Sequence, residues 1–594
     1  MSVTKPANER LEKITRLYIF PLILFLFPLI NMNKGVDLTD TGYSLANYVF
    51  FPITESSFVL NTYLSNAVGY FLTQLPFGGM MLGMKFYTAL FVSAMALIGY
   101  RFFITKMPAS VAFISEMMVI GLCWCPTVII YNYLTYFFFL LGAILLFRGL
   151  VGLRSSCLVL AGVCLGLNVF VRNPNILEAA LILCVWYYGL IRHKKLAQVV
   201  RETLLCLLGY AGAVFLMGAV MMIHYGVNAP FDMVSNLFQM SAGNSDYTFS
   251  EMIWAIFDAY IKGAKWLLYM VFCIIPGIPF LMVRLNVPSG KKISEAKIDL
   301  IKKVIYCLAI VFLFYALGRM GMYNFKYYQK EAVLQWAVIF LIISLGNMIR
   351  MLYSKSVDVH WKLIASIGIV VILITPLGSN NHIWPIINNL FFVAPITVWR
   401  VYRFTRYGRR FVGNEQTMVP LFPLKAMQMG IVVMVIVQSL LVGCFYVFRD
   451  GESGEKRNTA ISGNEILKGM RTNDENAALL NELSVFMDGY IEGKGSDLIL
   501  FGDLPALSYY LDRPSALSNA WADLDTFTVA VFSNEMADIS ARMDIKGRVR
   551  PMIIIKTILP VRVTGDAKEA CLMDFIDRHN YEEVFRNDIF RVYF

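Results

Sequence analysis

Charge is what this sequence has little of. Of its 594 residues only 16% are Asp, Glu, Lys or Arg, while 58% are hydrophobic and the mean hydropathy is +0.60. A soluble chain of this size would need far more polar surface to cover its core, so a soluble fold is excluded. The C-terminal stretch lacks a Gly-rich phosphate loop, a zinc-type Cys/His spacing and a Ser/His/Asp pattern, and no internal repeat or low-complexity segment runs through the chain. Nor is there a disulfide framework. Nine of the ten cysteines lie in the hydrophobic part, where Cys acts as a small apolar residue, and only Cys571 follows it. The Cys123-x-Cys125 pair sits in an apolar run and is read as packing rather than metal ligation.

What is present instead is a series of apolar runs near twenty residues long, each enough to cross a hydrocarbon layer of about 30 Å. Spans are expected near residues 17–32, 82–100, 109–127, 131–148, 155–171, 175–191, 202–224, 264–283, 304–320, 331–349, 362–378, 384–402 and 426–448. The first follows a polar, basic start without a convincing small-residue cleavage site, so it is expected to remain as an uncleaved span. The fold class expected is a polytopic α-helical membrane protein of about 13 spans (residues 1–448) with an extracytoplasmic α/β domain at the C-terminus (residues 449–594).

The net charge of +11 divides unevenly. Residues 1–448 hold 35 Lys and Arg against 17 Asp and Glu; residues 449–594 hold 17 against 24. A basic excess confined to the membrane part reflects topology, not nucleic-acid binding, and no nucleic-acid partner is expected. Alternate loops carry the cations, among them Arg10, Lys13 and Arg16, the RHKK at 192–195 and the RFTRYGRR at 403–410. With that side cytoplasmic, the N-terminus is inside and thirteen crossings place the acidic C-terminal part outside.

The outer segments are then a long first loop, 33–81, and shorter ones at 225–263, 321–330 and 379–383. Within the first, Leu60, Tyr63, Leu64, Val68, Phe71, Leu72 and Leu75 recur at helical spacing, as in an amphipathic helix lying at an interface; a similar candidate runs from Phe249 to Tyr260. In the C-terminal part, SDLILFG (496–502), FTVAVF (527–532), RPMIIIKT (550–557) and the closing DIFRVYF read as strands, and Asn476–Tyr490 as a helix.

Chemistry is concentrated on the outer side. The first loop begins NKGVDLTDTGYSLANYVFFP, with Asp37 and Asp40 three apart. Asp40 or Thr39 is suited to cap a helix over 41–50, and a carboxylate fixed at such a position is also available as a general base. Outer cations are few. Arg172 sits in VRNPN, made rigid by Pro174, while Arg319, Lys326 and Lys330 occur in GRMGMYNFKYYQKE; each is also suited to anchor at lipid headgroups, Lys330 most of all. TPLGSNNHIWP (375–385) is a turn dense in hydrogen-bonding groups. Glu116, inside the third span and toward the cytoplasmic side, is read as a protonated or hydrogen-bonded structural residue.

An Asp followed by an aromatic GY helix in a long first outer loop resembles the GT-C superfamily of polyprenyl-phosphate-dependent glycosyltransferases, in particular bacterial members of the family-39 type. YNYLTYFFFLLGAILLFRG (131–149), LAGVCLGLNVFVRNPNIL (160–177) and SDLILFGDLPALSYYLDRPSAL (496–517) are similar to further parts of that family. The resemblance implies inverting transfer of a hexosyl or pentosyl group from a polyprenyl-phosphate donor to an acceptor hydroxyl outside the membrane. It assigns catalysis to Asp40, with Asp37 second. It implies donor-phosphate binding by Arg172, Arg319, Lys326 and His382, and substrate contacts by Tyr43, Asn173, Ser379, Asn380 and Asn381. The partners implied are the lipid-linked sugar, membrane lipid, and a glycan, lipid or protein acceptor. Asp37 and Asp40 leave a divalent cation open, and no metal site is assigned. A lipid-linked-sugar flippase or transporter, a polymerase of polysaccharide repeat units and a non-catalytic scaffold stand as alternatives.

Overall fold

The structure is a computed structural model that describes residues 5–51, 53, 57–123, 127–240, 249–283, 295–379, 381–407, 411–412, 419–451, 454–491, 497–543 and 550–594. Among them, eight helices are long and apolar enough to cross a membrane: Met81–Phe103, Ile130–Gly152, Asn173–Ile191, Leu196–Tyr225, Ser250–Met282, Ala296–Arg319, Lys330–Tyr353 and Phe422–Phe445. Ala109–Leu122, Ser155–Val171 and Val359–Ile374 are shorter apolar helices. The two remaining expected spans are irregular. Residues 5–29 run through α, π and 3-10 turns, with Pro21 and Pro28 removing backbone donors. The other divides into Trp384–Asn388 and Val393–Tyr407. The chain is a multi-pass membrane protein.

Close helix approach in the bundle depends on small residues. A Cβ at Gly162 would meet Cys206 O at 1.9 Å, and one at Gly166 would meet Tyr210 O at 2.5 Å. This small-xxx-small stripe lets Ser155–Val171 lie directly on Leu196–Tyr225, which fixes where Arg172 emerges at the end of the former.

The outer segments depart from expectation in three ways. Neither Asp40 nor Thr39 caps the first helix of the first loop. Helix Asp40–Val49 is capped from three residues upstream, where Asp37 Oδ1 accepts from Thr39 N (2.8 Å) and Thr39 Oγ1 (2.6 Å), and Asp37 Oδ2 accepts from Thr41 N (2.8 Å). Tyr63–Thr73 is a helix that buries the expected Tyr63 and Leu72, but its buried side also carries Ser65, Asn66 and Gly69, the last against Tyr48, and Phe71 is 61% exposed. The third concerns the later loop: the candidate at 249–260 is the beginning of one continuous helix, Phe249–Ile274.

The C-terminal part forms a four-stranded sheet in the order 498–501, 552–556, 590–593, 583–586, parallel between the first two strands and antiparallel elsewhere. FTVAVF is not a strand. Thr528 Oγ1 accepts from Val531 N (3.4 Å) and starts helix Val529–Met543, which buries Phe532, Met536 and Ile539 at spacings of four and three. Six apolar residues fit either period, and the residues downstream decide for the helical one.

Alternation along the strands gives the sheet two apolar faces. Ile499, Phe501, Ile553 and Ile555 pack under the helices, with Phe532, Leu572 and Ile576. Leu498, Leu500, Met552, Ile554, Phe590 and Val592 join Val36, Leu45, Tyr48, Met81 and Met84 of the first loop and the following span. Each such side chain removed from water contributes about 1.5–3 kcal/mol. Polar contacts fix the register: Tyr510 Oη donates to Asp37 O (2.6 Å), Ala506 N to Leu38 O (3.1 Å), and Arg471 N to Asn33 O (2.8 Å).

Gly42 makes this contact possible, since a Cβ there would stand 2.0 Å from Ala506 Cβ and 2.5 Å from its Cα. Gly→Ala inside a helix ordinarily stabilises by about 1 kcal/mol. Gly42→Ala is expected to do the opposite, costing about 1–3 kcal/mol through overpacking, read as a lower midpoint in thermal unfolding of the detergent-solubilised protein.

Candidate functional site

Three inter-helix segments and the C-terminal part meet at one end of the bundle around a cavity of about 270 Å³. Helix Asp40–Val49 gives Tyr43, Ser44 and Asn47. The turn after Ser155–Val171 gives Arg172, Asn173 and Pro174; the turn after Val359–Ile374 gives Gly378, Ser379 and Asn381; the C-terminal part gives Asn519, Leu524 and Thr526. The two turns touch because Gly378 (φ +74°) has no side chain: a Cβ there would lie 2.1 Å from Pro174 Cβ.

Asp40 is the first residue of its helix, and Tyr43, Ser44 and Asn47 follow it at i+3, i+4 and i+7, on one face. That face runs from Asp40 into the cavity. The Asp40 side chain is 30% exposed, and its Oδ2 lies 2.7 Å from Arg449 Nη1, which also donates to Thr39 Oγ1 (3.0 Å). Burial pushes Asp40 up to about 6 against the pull of Arg449; the Asp37 and Asp503 charges add to the rise, and Lys330 opposes it.

Asp37, by contrast, is spent. Buried, with both oxygens engaged by the Thr39 and Thr41 bonds, it shapes the turn and lies outside the cavity lining. Among the described residues no group of three His, Cys, Asp or Glu is placed to hold a metal.

Arg172, at the end of helix Ser155–Val171, is the charged residue among the described residues of the lining. Its Nη2 donates to Leu377 O (3.4 Å), while its Nε is buried without a hydrogen-bond partner among the described residues. Behind it, buried Glu178 accepts from Asn168 Nδ2 (2.6 Å) and is an electrostatic partner of Arg172. The same polar layer holds Asn175 Nδ2 on Thr135 Oγ1 (2.8 Å).

Of the residues singled out in the sequence, the lining thus unites Tyr43, Arg172, Asn173, Ser379 and Asn381, with Asp40 at the head of its helical face. Arg319, Lys326 and His382 are exposed and outside the lining. Asn380 lies outside the described residues, as does Cys125. Glu116 is buried against Gly99 in the bundle, away from this cavity.

Sequence reading missed Arg449, Asn519 and Glu178. Arg449 follows the last span, where a lone cation reads as an anchor; its left-handed backbone (φ +44°) is what turns it back. Lys330, set aside as an anchor, is an electrostatic partner of Asp40, with its Nζ over the Trp384 ring (5.2 Å). Beyond Tyr43, Trp521 lies ring against ring (5.6 Å) and donates from Nε1 to Asp503 Oδ1 (2.8 Å), which Arg562 Nη2 also meets (2.6 Å). Asp503 sits in the left-handed region at the C-terminal end of strand 498–501, a usual place for functional groups in α/β sheets.

No protein-family model matches the sequence, and no curated protein does. Among solved structures, ArnT from Cupriavidus metallidurans, crystallised with undecaprenyl phosphate, is similar over 98% of this chain and 97% of its own, at 12% identity and a TM-score of 0.39. The Archaeoglobus fulgidus oligosaccharyltransferase in complex with Zn and sulfate is similar over 90% of this chain and 68% of its own, at 10% identity and a TM-score of 0.43. AglB from the same organism, with an inhibitory peptide and a dolichol-phosphate, is similar over 91% and 69%, at 11% identity and a TM-score of 0.41.

Proposed function

We propose that this chain is a GT-C-type inverting glycosyltransferase that moves a sugar from a polyprenyl-phosphate to an acceptor hydroxyl on the extracytoplasmic face of the membrane. One observation carries the reading. A carboxylate of raised proton affinity, Asp40, heads the helix face that lines a cavity, and the same lining includes a guanidinium, Arg172, tied to Leu377 O.

In this reading, residues 1–448 are the membrane part and residues 449–594 an extracytoplasmic domain seated on the catalytic loop. The basic loops between alternate spans put the N-terminus in the cytoplasm and the cavity outside. Asp40 accepts the proton of the acceptor hydroxyl. The freed oxygen bonds to the anomeric carbon from the side opposite the phosphate; the carbon–oxygen bond to the phosphate breaks, and its electron pair leaves with the phosphate. Inversion follows from that geometry. A base with a pKa of about 6 is better matched to neutral pH than an ordinary aspartate near 4. Arg449 holds the Asp40 carboxylate in one orientation, and Arg172 meets the charge that grows on the departing phosphate.

The test uses purified protein in liposomes supplied with a polyprenyl-phosphate sugar and extracts of acceptor glycans, lipids and proteins. Glycoside formation followed by mass spectrometry is the expected result. Movement of labelled lipid across the bilayer with no glycoside formed would replace the reading with a flippase.

A further inference from the structure

Besides Arg172, the cavity lining holds two buried side chains, from two different parts of the chain, that each keep a polar atom without a hydrogen-bond partner among the described residues. On the membrane side, Asn173 is buried and spends both amide hydrogens, on Asn61 Oδ1 (2.9 Å) and Met233 O (3.2 Å), which leaves its Oδ1 as a buried acceptor without a partner. On the C-terminal side, Asn519 is 2% exposed. Its Oδ1 accepts from Trp521 N (3.0 Å), which fixes the amide orientation and leaves Nδ2 as a buried donor without a partner. Both line the cavity, together with the Thr526 hydroxyl. A buried donor or acceptor without a partner costs about 1–3 kcal/mol, so its retention twice in the lining of one cavity calls for a ligand that satisfies both.

We infer that Asn173 and Asn519 are a hydroxyl-reading pair that selects the sugar ring carried by the lipid phosphate, and that the C-terminal segment 519–526 is the specificity wall of the cavity. The inference rests on the transferase reading above and adds the class of sugar. One acceptor and one donor belonging to the lining of a single cavity complement a hydroxyl, which is itself donor and acceptor. Arg172 supplies a single positive charge for a single phosphate, and among the described lining residues there is no carboxylate to pair with an amino group, Asp40 at the head of the helix face being paired with Arg449. The ring selected is therefore a neutral, polyhydroxylated hexose or pentose. Asn173 neighbours Arg172 in sequence, which places the read hydroxyl on the ring attached to the phosphate.

The experiment compares wild type with Asn519→Asp and Thr526→Val in liposomes, using polyprenyl-phosphate donors that carry one sugar, its epimers and its deoxy analogues. Asn519→Asp keeps the oxygen that accepts from Trp521 N and replaces the donor by an acceptor; Thr526→Val is isosteric at a half-buried position and keeps the assay informative where the first variant fails to fold. Transfer and the thermal shift produced by each donor are read in parallel. Wild type is expected to discriminate against one deoxy analogue by at least about 10²-fold in kcat/KM, as sites built to bind a hydroxyl do. The variants are expected to lower that ratio at least tenfold, mainly through KM. Transfer with an unchanged donor ratio in both variants overturns this inference and leaves the transferase standing. No transfer by wild type overturns the transferase reading, and the thermal-shift ranking then decides this one: a ranking flattened by the variants supports it, and an unchanged ranking overturns it.

Discussion

Asn in place of Asp40 is expected to lower sugar transfer by about 10²–10⁴-fold, the range contributed by a positioned general base, while leaving expression, thermal midpoint and lipid-phosphate binding close to wild type. The side chain is isosteric, and Asp40 does not hold the turn, since Asp37 caps the helix. What is lost is the ability to take a proton. The pH profile provides an independent check. The base works deprotonated, so kcat/KM is expected to rise with pH through about 6 and level off above it. The groups facing Asp40 set the sign of further shifts. Arg449 and Lys330 lower its proton affinity, whereas Asp37 and Asp503 raise it. Arg449→Ala should therefore move the limb to higher pH, and Asp503→Asn to lower pH. Full activity of Asp40→Asn, or a limb that ignores both neighbours, would remove Asp40 as the base.

The second large effect is expected at Arg172. Loss of one preorganised group that meets developing charge costs about 10²–10³-fold in turnover, so Arg172→Ala should reduce kcat/KM for the lipid donor by about that factor and leave the acceptor KM nearly unchanged. Arg172→Lys should recover only part of it. A lysine restores the charge but not the planar fork that donates from Nη2 to Leu377 O. Steady-state kinetics with donor and acceptor varied separately make the distinction. A defect confined to the acceptor would show that the phosphate lies elsewhere.

Parts of the site were legible before any coordinates because they depend on local chemistry. The turn VRNPN carries its own rigidity, with Pro174 at the start of a 3-10 segment, and so marks Arg172 and Asn173. The polar GSNN turn marks Ser379 and Asn381 in the same way. The capping assignment failed for an equally local reason. Asp37, Thr39 and Asp40 are all competent caps by residue type, and only backbone geometry shows that Asp37 takes the Thr39 and Thr41 amides and leaves Asp40 free. The six residues FTVAVF failed because their length suits both periods, and burial of Phe532, Met536 and Ile539 against the sheet decides for the helix.

By itself the sequence determined the membrane class and the position of the spans, because insertion depends on the summed hydropathy of about twenty consecutive residues and needs no knowledge of distant ones. It also marked part of the cavity's bundle side, Arg172, Asn173, Ser379 and Asn381, since those residues stand in turns whose character is written locally. Only the tertiary structure decided how Asp40 is held and what faces it. Arg449 lies 410 residues beyond Thr39, and Asn519 farther still. Their arrival depends on one face of a C-terminal sheet packing against the first loop and on Gly42 leaving room for Ala506. Such contacts join segments remote in the chain, and no short-range pattern encodes them.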